Sequence, residues 1–269
     1  MTSQLPITRK LTPAYILSFT IALLMTGVSL AGLIFQNNLY PTDEQRQSFV
    51  SNDVTNLFIG LPILLFSLAL ARNGRLIGLL CWPGALLYVT YNYIAYSVAM
   101  PLSIPFGFYL ALVILSVYTI YLLLSRVDSL AIQQRLAGAV PERFTGGVLA
   151  GLSLLFFLRG VLQVVSVMIG QASLTGPELA VLIADLLVTP ASVIGGILLW
   201  RRRPFGYAAG AGLLFQASML FIGLLVFFIL QPFLTSAPFP VVDFIVISIM
   251  GLVCFIPFGL FVRGVVKSS

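Results

Sequence analysis

Apolar stretches close to the length of a membrane span alternate with short polar or turn-forming segments along the whole chain. An α-helix needs about 20 apolar residues to cross the hydrocarbon core of a bilayer, and eight stretches approach or exceed that length. They are Ala14–Phe35, Asn56–Ala71, Leu76–Val98, Phe106–Ser125, Gly147–Ile169, Leu179–Trp200, Tyr207–Leu230 and Val241–Val262. The second stretch is short for a span. The pattern predicts an all-α, polytopic membrane protein with eight transmembrane helices.

The basic residues predict the orientation of these helices. Short cytoplasmic loops carry an excess of Lys and Arg. With the N-terminus inside, all of the 14 basic residues except Arg46 and Arg159 fall on the cytoplasmic side. The predicted outer segments instead hold acidic residues, which are Asp43, Glu44, Asp53 and Glu178. We therefore expect both ends of the chain in the cytoplasm.

The composition supports membrane insertion, and the placement of the basic residues relates the net charge to membrane topology. The chain has 269 residues, of which 59% are hydrophobic and 8% charged, whereas soluble proteins carry about 25% charged residues. The net charge of +6 does not indicate nucleic-acid binding, because the basic residues lie at the ends of apolar stretches. We expect a multi-pass protein of a plasma membrane or bacterial inner membrane. The triplet Arg201–Arg203 is expected to anchor the topology and to contact anionic lipid headgroups at the cytoplasmic face.

The two halves of the chain share a pattern of glycines and prolines. At a constant offset of 128 residues, four pairs coincide: Gly32 with Gly160, Pro62 with Pro190, Gly78 with Gly206, and Gly84 with Gly212. The alternative is coincidence, since glycine and proline are common in spanning helices. Duplication predicts two parallel four-helix repeats, since each half has an even number of spans. The first covers residues 1–128 with an outer loop at 36–55, a cytoplasmic linker covers 129–145, and the second repeat covers 146–269.

Small residues spaced four apart predict sites where two helices pack closely. Such pairs allow two backbones to approach each other within a membrane. Three occur in the second half of the chain: Gly147 with Gly151, Gly206 with Gly210, and Ala208 with Gly212. We expect these positions to be structural.

Several kinds of chemistry are excluded by residues that the chain lacks. It has no histidine, so bis-histidine haem ligation, a serine–histidine protease and a histidine zinc site are not possible. The lysines, Lys10 and Lys267, lie outside the predicted spans, and Cys81 and Cys254 lie in separate apolar stretches. No metal site or cofactor is predicted, and a function other than catalysis is favoured.

One pair of charges stands out within the predicted spans. Arg159 lies near the middle of the fifth span, and Asp185 is the most deeply placed acid, in the sixth. An ionisable group in a membrane costs about 2.5–3.5 kcal/mol on insertion scales and is a candidate for function. A short outer loop joins the two helices, so an ion pair in the outer half of the membrane is geometrically easy. The alternative is a structural lock between neighbouring helices.

Further polar groups are expected in the same layer. Gln163 lies one turn from Arg159, while Tyr88, Asn92 and Tyr96 recur every four residues in the third span. The predicted binding set is Arg159, Asp185, Gln163, Asn92, Tyr88 and Asn56. The tyrosines have a second interpretation as part of the aromatic belt at the membrane interface. Asp53 and Asp243 are expected to be solvated residues near helix N-termini.

These features leave three functions open. The first is binding or transport of a small polar or amphipathic solute, or of a lipid, through a polar cavity in the outer half of the bundle. The second is a non-catalytic accessory or scaffold subunit of a membrane complex. The third is a lipid-modifying enzyme with Asp185 as a base, for which one carboxylate without a partner nucleophile or metal is thin support.

Overall fold

A computed structural model describes residues 5–268, and within that range the chain is helical with no β-strand. Its β-structure there is an isolated bridge between Ile7 and Val127. The α-helices are α1 (Thr12–Ile34), α2 (Gln36–Leu39), α3 (Asp43–Thr55), α4 (Leu61–Arg72), α5 (Leu76–Ala99), α6 (Ile104–Arg126), α7 (Ser129–Leu136), α8 (Glu142–Met168), α9 (Gly176–Trp200), α10 (Pro204–Leu234) and α11 (Val241–Lys267).

Seven helices of residues 5–268 are long and apolar enough to cross a membrane. They are α1, the continuous helix Asp43–Arg72, α6, α8, α9, α10 and α11. The prediction of a helical multi-pass membrane protein is therefore confirmed. The helix α5 is not among the seven, although it has 24 residues. It packs against α4, α6, α9 and α10, so its tyrosines and asparagine face other helices rather than the outside of the bundle.

The second apolar stretch belongs to a much longer helix than the sequence predicts. A capping box formed by Thr42 and Gln45 begins α3, and a π-helical segment, Asn56–Gly60, joins α3 to α4 without a break. The resulting helix, Asp43–Arg72, has 30 residues. Most of the expected outer loop 36–55 is therefore helical. The hydropathy pattern misses α3 because this segment is polar and acidic.

The expected linker 129–145 is also structured, and the buried carboxylate of Glu142 connects it to the helices around it. It contains α7 and the first turn of α8, whose residue Glu142 is only 4% exposed. The Glu142 carboxylate accepts hydrogen bonds from the Gly138 amide at 2.8 Å and from the Tyr207 hydroxyl at 2.9 Å. Arg202 lies 3.6 Å from the same carboxylate. These contacts join the linker to the start of α10.

Two helical hairpins have the same backbone hydrogen bonds. In the α4–α5 turn, the amides of Asn73, Gly74, Arg75 and Gly78 donate to the carbonyls of Ala69, Ala71, Leu70 and Arg75, respectively. In the α9–α10 turn, the amides of Arg201, Arg202, Arg203 and Gly206 donate to those of Ile197, Leu199, Leu198 and Arg203. Each donor and acceptor in the second turn lies 128 residues after its counterpart. Gly74 and Arg202 both have a positive φ, of 73° and 55°.

Close packing occurs at some of the predicted glycines and not at others. A Cβ on Gly147 or Gly151 would meet nothing within 4 Å, so the prediction that this pair brings two helices together is wrong. A Cβ on Gly206 would overlap the backbone of Leu199, and one on Gly212 would lie 2.9 Å from the Leu80 carbonyl oxygen. The spacing alone does not reveal which face of a helix meets a neighbour.

Candidate ligand-binding cavity

A cavity of about 450 Å³ lies between α3, α5, α8, α9 and α10. This volume is within the range of small-molecule sites, which is about 300–1,000 Å³. Part of its wall is apolar, with Phe156 and Gly160 from α8 and Leu220, Leu224 and Phe227 from α10. The remaining wall carries most of the polar groups that the sequence singles out.

Five of the six residues predicted to bind a ligand line this cavity. They are Tyr88 and Asn92 from α5, Arg159 and Gln163 from α8, and Asp185 from α9. The Asn92 side-chain amide donates to the Tyr88 carbonyl at 3.0 Å, one turn earlier in α5. Helices from both halves of the chain therefore contribute to a single polar wall.

Arg159 and Asp185 do not form the expected ion pair. Within residues 5–268 the ion pairs are Arg46 with Asp43 and Arg202 with Glu142. The Asp185 carboxylate instead accepts a hydrogen bond from the Tyr91 hydroxyl at 2.9 Å. Arg159 lies close enough to interact electrostatically with both groups. The physical reason is that α5 places a phenol directly opposite Asp185, while the guanidinium remains exposed in the cavity.

Both charged groups keep unused hydrogen-bonding capacity. In the part of the chain that the structure describes, the Arg159 guanidinium makes no hydrogen bond, and neither does the second carboxylate oxygen of Asp185. The Thr189 hydroxyl donates to the Asp185 backbone carbonyl at 2.7 Å and not to the carboxylate. A guanidinium donor and a carboxylate acceptor are thus available to a molecule in the cavity.

Asn56, the sixth predicted residue, is not part of the cavity wall. It is 0% exposed, and neither its amide nitrogen nor its oxygen has a hydrogen-bond partner among the described residues. Asn52, one turn earlier, does line the cavity. Asn56 is also the first residue of the π-helical segment. Buried unpaired amides are costly, and π-helical segments recur at functional sites.

Asp53 contradicts the expectation of a solvated residue. It is 1% exposed, and its carboxylate accepts hydrogen bonds from the Tyr40 hydroxyl at 2.6 Å and from the Tyr96 hydroxyl at 2.8 Å. The cause is the early start of α3, which places Asp53 within a long helix instead of at its first turn. Burial and the Asp53 carboxylate raise the pKa of the Tyr40 phenol far above its usual range, so this phenol remains a hydrogen-bond donor.

The polar residues along α5 contact two different parts of the molecule. Tyr88 and Asn92 reach the cavity, whereas Tyr96 reaches Asp53 and packs against the rings of Tyr93 and Tyr109. Tyr88 and Tyr96 are both buried by other helices, so their interpretation as an interfacial belt is wrong. The four-residue period signals the stripe, but nothing in the sequence pairs Tyr96 with Asp53 or Tyr91 with Asp185. Asp243, in contrast, is exposed in the first turn of α11, as expected.

Comparison with known proteins adds no functional assignment. No protein-family model, no curated protein and no solved structure matches this chain.

Proposed function

We propose that α5 is an eighth membrane span and that both chain ends are cytoplasmic. At 1.5 Å per residue the 24 residues of α5 are about 36 Å long, which exceeds a hydrocarbon core of about 30 Å. If α5 did not cross, every later segment would change sides. Arg126, Arg135, Arg143 and the Arg201–Arg203 triplet would then lie outside, against the usual bias of basic residues.

The bundle is further proposed to consist of two parallel repeats, residues 1–128 and 146–269, joined by the cytoplasmic linker 129–145. The matched hairpin turns support this, as do matched packing contacts. A Cβ on Gly78 would overlap Leu70 and Ala71, and one on Gly206 would overlap their counterparts Leu198 and Leu199. Gly84 and Gly212 contact each other directly. Contact between equivalent residues is what an axis along the membrane normal produces between parallel repeats.

The proposed function is binding or transport of a small polar or amphipathic solute, or of a lipid, in the cavity. One observation carries it: Arg159 and Asp185 line the same cavity without pairing with each other. A structural lock would place the two charges in contact, because an unpaired charge within a membrane is costly. Charges that stay separate and accessible suit a ligand instead.

The proposed topology opens the cavity toward the outer surface. Pro177 and Glu178, at the start of α9, belong to its lining, and Asp185 lies seven residues further along the same helix. That spacing corresponds to a depth of about 10 Å. A solute from the outside therefore meets Glu178 at the rim of the cavity before it reaches Arg159 and Asp185.

On the cytoplasmic side, we propose that Arg201 and Arg203 contact anionic lipid headgroups. Both side chains are exposed at the turn between α9 and α10. Basic clusters next to a span attract anionic lipids by about 1 kcal/mol per residue. The surrounding bilayer is proposed to be a plasma membrane or a bacterial inner membrane.

A ligand screen tests the proposed binding function. Purified protein would be screened for thermal stabilisation by amino acids, amines, sugars and lipids, because a ligand that binds the folded state raises the melting temperature. Arg159→Ala should remain folded and lose the stabilisation. Arg143→Ala is the matched control, since Arg143 is exposed on the same helix and lies outside the cavity. If no compound stabilises the wild type, or Arg159→Ala keeps every response, ligand binding at this cavity is refuted.

A further inference from the structure

Besides Glu178 at its rim, the cavity holds two opposite charges that are separated from each other yet open to a third molecule. The Arg159 guanidinium comes from α8, and the Asp185 carboxylate comes from α9, where the Tyr91 hydroxyl occupies one of its oxygens. The other carboxylate oxygen takes no hydrogen bond among residues 5–268. A ligand that satisfies both groups must present a negative group to one and a positive group to the other.

The apolar wall specifies a second property of the ligand. Leu220, Leu224 and Phe227 line the cavity from α10, and Phe156 adds a further aromatic ring from α8. Removal of apolar surface from water is favourable, so a ligand with an apolar portion gains binding free energy here that a bare ion or a fully polar solute does not.

We propose that the ligand is a zwitterion with an apolar body, whose anionic group contacts Arg159 and whose ammonium group contacts the free oxygen of Asp185. This inference rests on the proposed binding function and narrows its ligand. Guanidinium donors suit carboxylate and phosphate groups, and a carboxylate suits an ammonium donor. An apolar amino acid and the headgroup region of a zwitterionic lipid share this chemistry.

Singly charged ligands fit the cavity less well. A monoanion on Arg159 would leave the Asp185 charge without a cation and would be repelled by it. A monocation on Asp185 would leave the Arg159 charge without an anion and would be repelled by it. Like charges interact strongly where water is scarce, and a charge removed from water without a partner is costly. A zwitterion avoids both penalties because each of its charges lies beside an opposite one.

Equilibrium binding with chemically matched probes tests this assignment. Full-length protein would be prepared in nanodiscs of phosphatidylglycerol, and the free probes would be leucine, leucine amide, which lacks the carboxylate, and N-acetyl-leucine, which lacks the ammonium group. The lipid probes would be short-chain phosphatidylethanolamine and phosphatidylglycerol. Removal of either charge from leucine, or of the ammonium group from phosphatidylethanolamine, should weaken binding of the preferred probe about 10- to 100-fold. Preference for leucine or for phosphatidylethanolamine identifies the source of the zwitterion.

Two variants should change charge selectivity in opposite ways. Arg159→Gln should bind leucine and leucine amide with similar, weakened affinity, because the group that distinguishes them is gone. Asp185→Asn should bind leucine and N-acetyl-leucine with similar, weakened affinity. Arg143→Gln and Asp243→Asn, which change exposed charges outside the cavity, should keep the selectivity of the wild type. If the lipid is the preferred probe, phosphatidylethanolamine and phosphatidylglycerol replace leucine and N-acetyl-leucine in the Asp185→Asn comparison.

The outcomes separate this inference from the function on which it rests. Equal or tighter binding of a singly charged probe overturns the zwitterion but leaves a ligand-binding cavity. Binding of neither leucine nor phosphatidylethanolamine also overturns it. The proposed function fails as well only when the broader thermal screen finds no ligand or when Arg159→Ala keeps every response in it.

Discussion

Gly84 and Gly212 lie against each other where α5 meets α10, and a Cβ on Gly84 would overlap the Gly212 carbonyl group. The two helices are therefore held at backbone contact by the absence of side chains at this point. Since α5 and α10 both contribute to the wall of the cavity, this contact also sets the spacing of two of its sides.

Gly84→Ala is expected to destabilise the protein by about 1–3 kcal/mol, because a methyl group forces two well-packed backbones apart. Gly147→Ala is the control, since its Cβ would meet nothing within 4 Å, and alanine is the better helix former by about 1 kcal/mol. Thermal unfolding of both variants in detergent measures the difference. Equal melting temperatures would show that α5 and α10 do not touch at this glycine.

Asp53 should contribute to stability through its two tyrosine partners. Asp53→Leu leaves the Tyr40 and Tyr96 hydroxyls without their acceptor, at an expected cost of about 2–4 kcal/mol. Asp53→Asn keeps an acceptor oxygen and should cost less. The exposed Asp243 supplies the control, and Asp243→Leu should leave the melting temperature nearly unchanged. A small effect of Asp53→Leu would contradict the buried position of this carboxylate.

The matched turns make a prediction about backbone strain. Arg202 has a φ of 55°, a conformation that costs a residue with a Cβ about 1–2 kcal/mol and glycine very little. Arg202→Gly and Arg202→Ala both remove the contact with Glu142, so only the strain differs between them. Arg202→Gly should be the more stable by about 1 kcal/mol. In the other turn, Gly74→Ala should destabilise by a similar amount, as measured by the same unfolding assay.

Labelling of single cysteines from each side of the membrane tests the eight-span proposal. The native Cys81 and Cys254 are buried and should not react. With α5 as a span, an impermeant thiol reagent added outside should label Ser103→Cys and Ala172→Cys, because both exposed loops are then external. Asn73→Cys and Gln134→Cys should react only after the membrane is permeabilised. External protection of Ser103→Cys would remove α5 from the set of spanning helices.

The sequence predicts the helical membrane character and most helix positions because hydrophobicity is a local property. The residues that form a span carry the signal themselves, as in the seventh stretch, Tyr207–Leu230, which lies within α10. Residues of the candidate site were also partly predictable. A charge such as Arg159 is conspicuous in an apolar helix, and neighbours such as Gln163 follow from the helical period.

What the sequence by itself determined is thus where the long apolar helices lie and which polar residues they carry. The tertiary structure alone decided their partners, because contacts between helices depend on rotation and depth that no single helix encodes. In the structure the Asp185 carboxylate accepts a hydrogen bond from Tyr91 rather than pairing with Arg159, and the Asp53 carboxylate is buried between two tyrosines. The tertiary structure also extended the second apolar helix through a polar segment, since that segment packs against α1, α9 and α10.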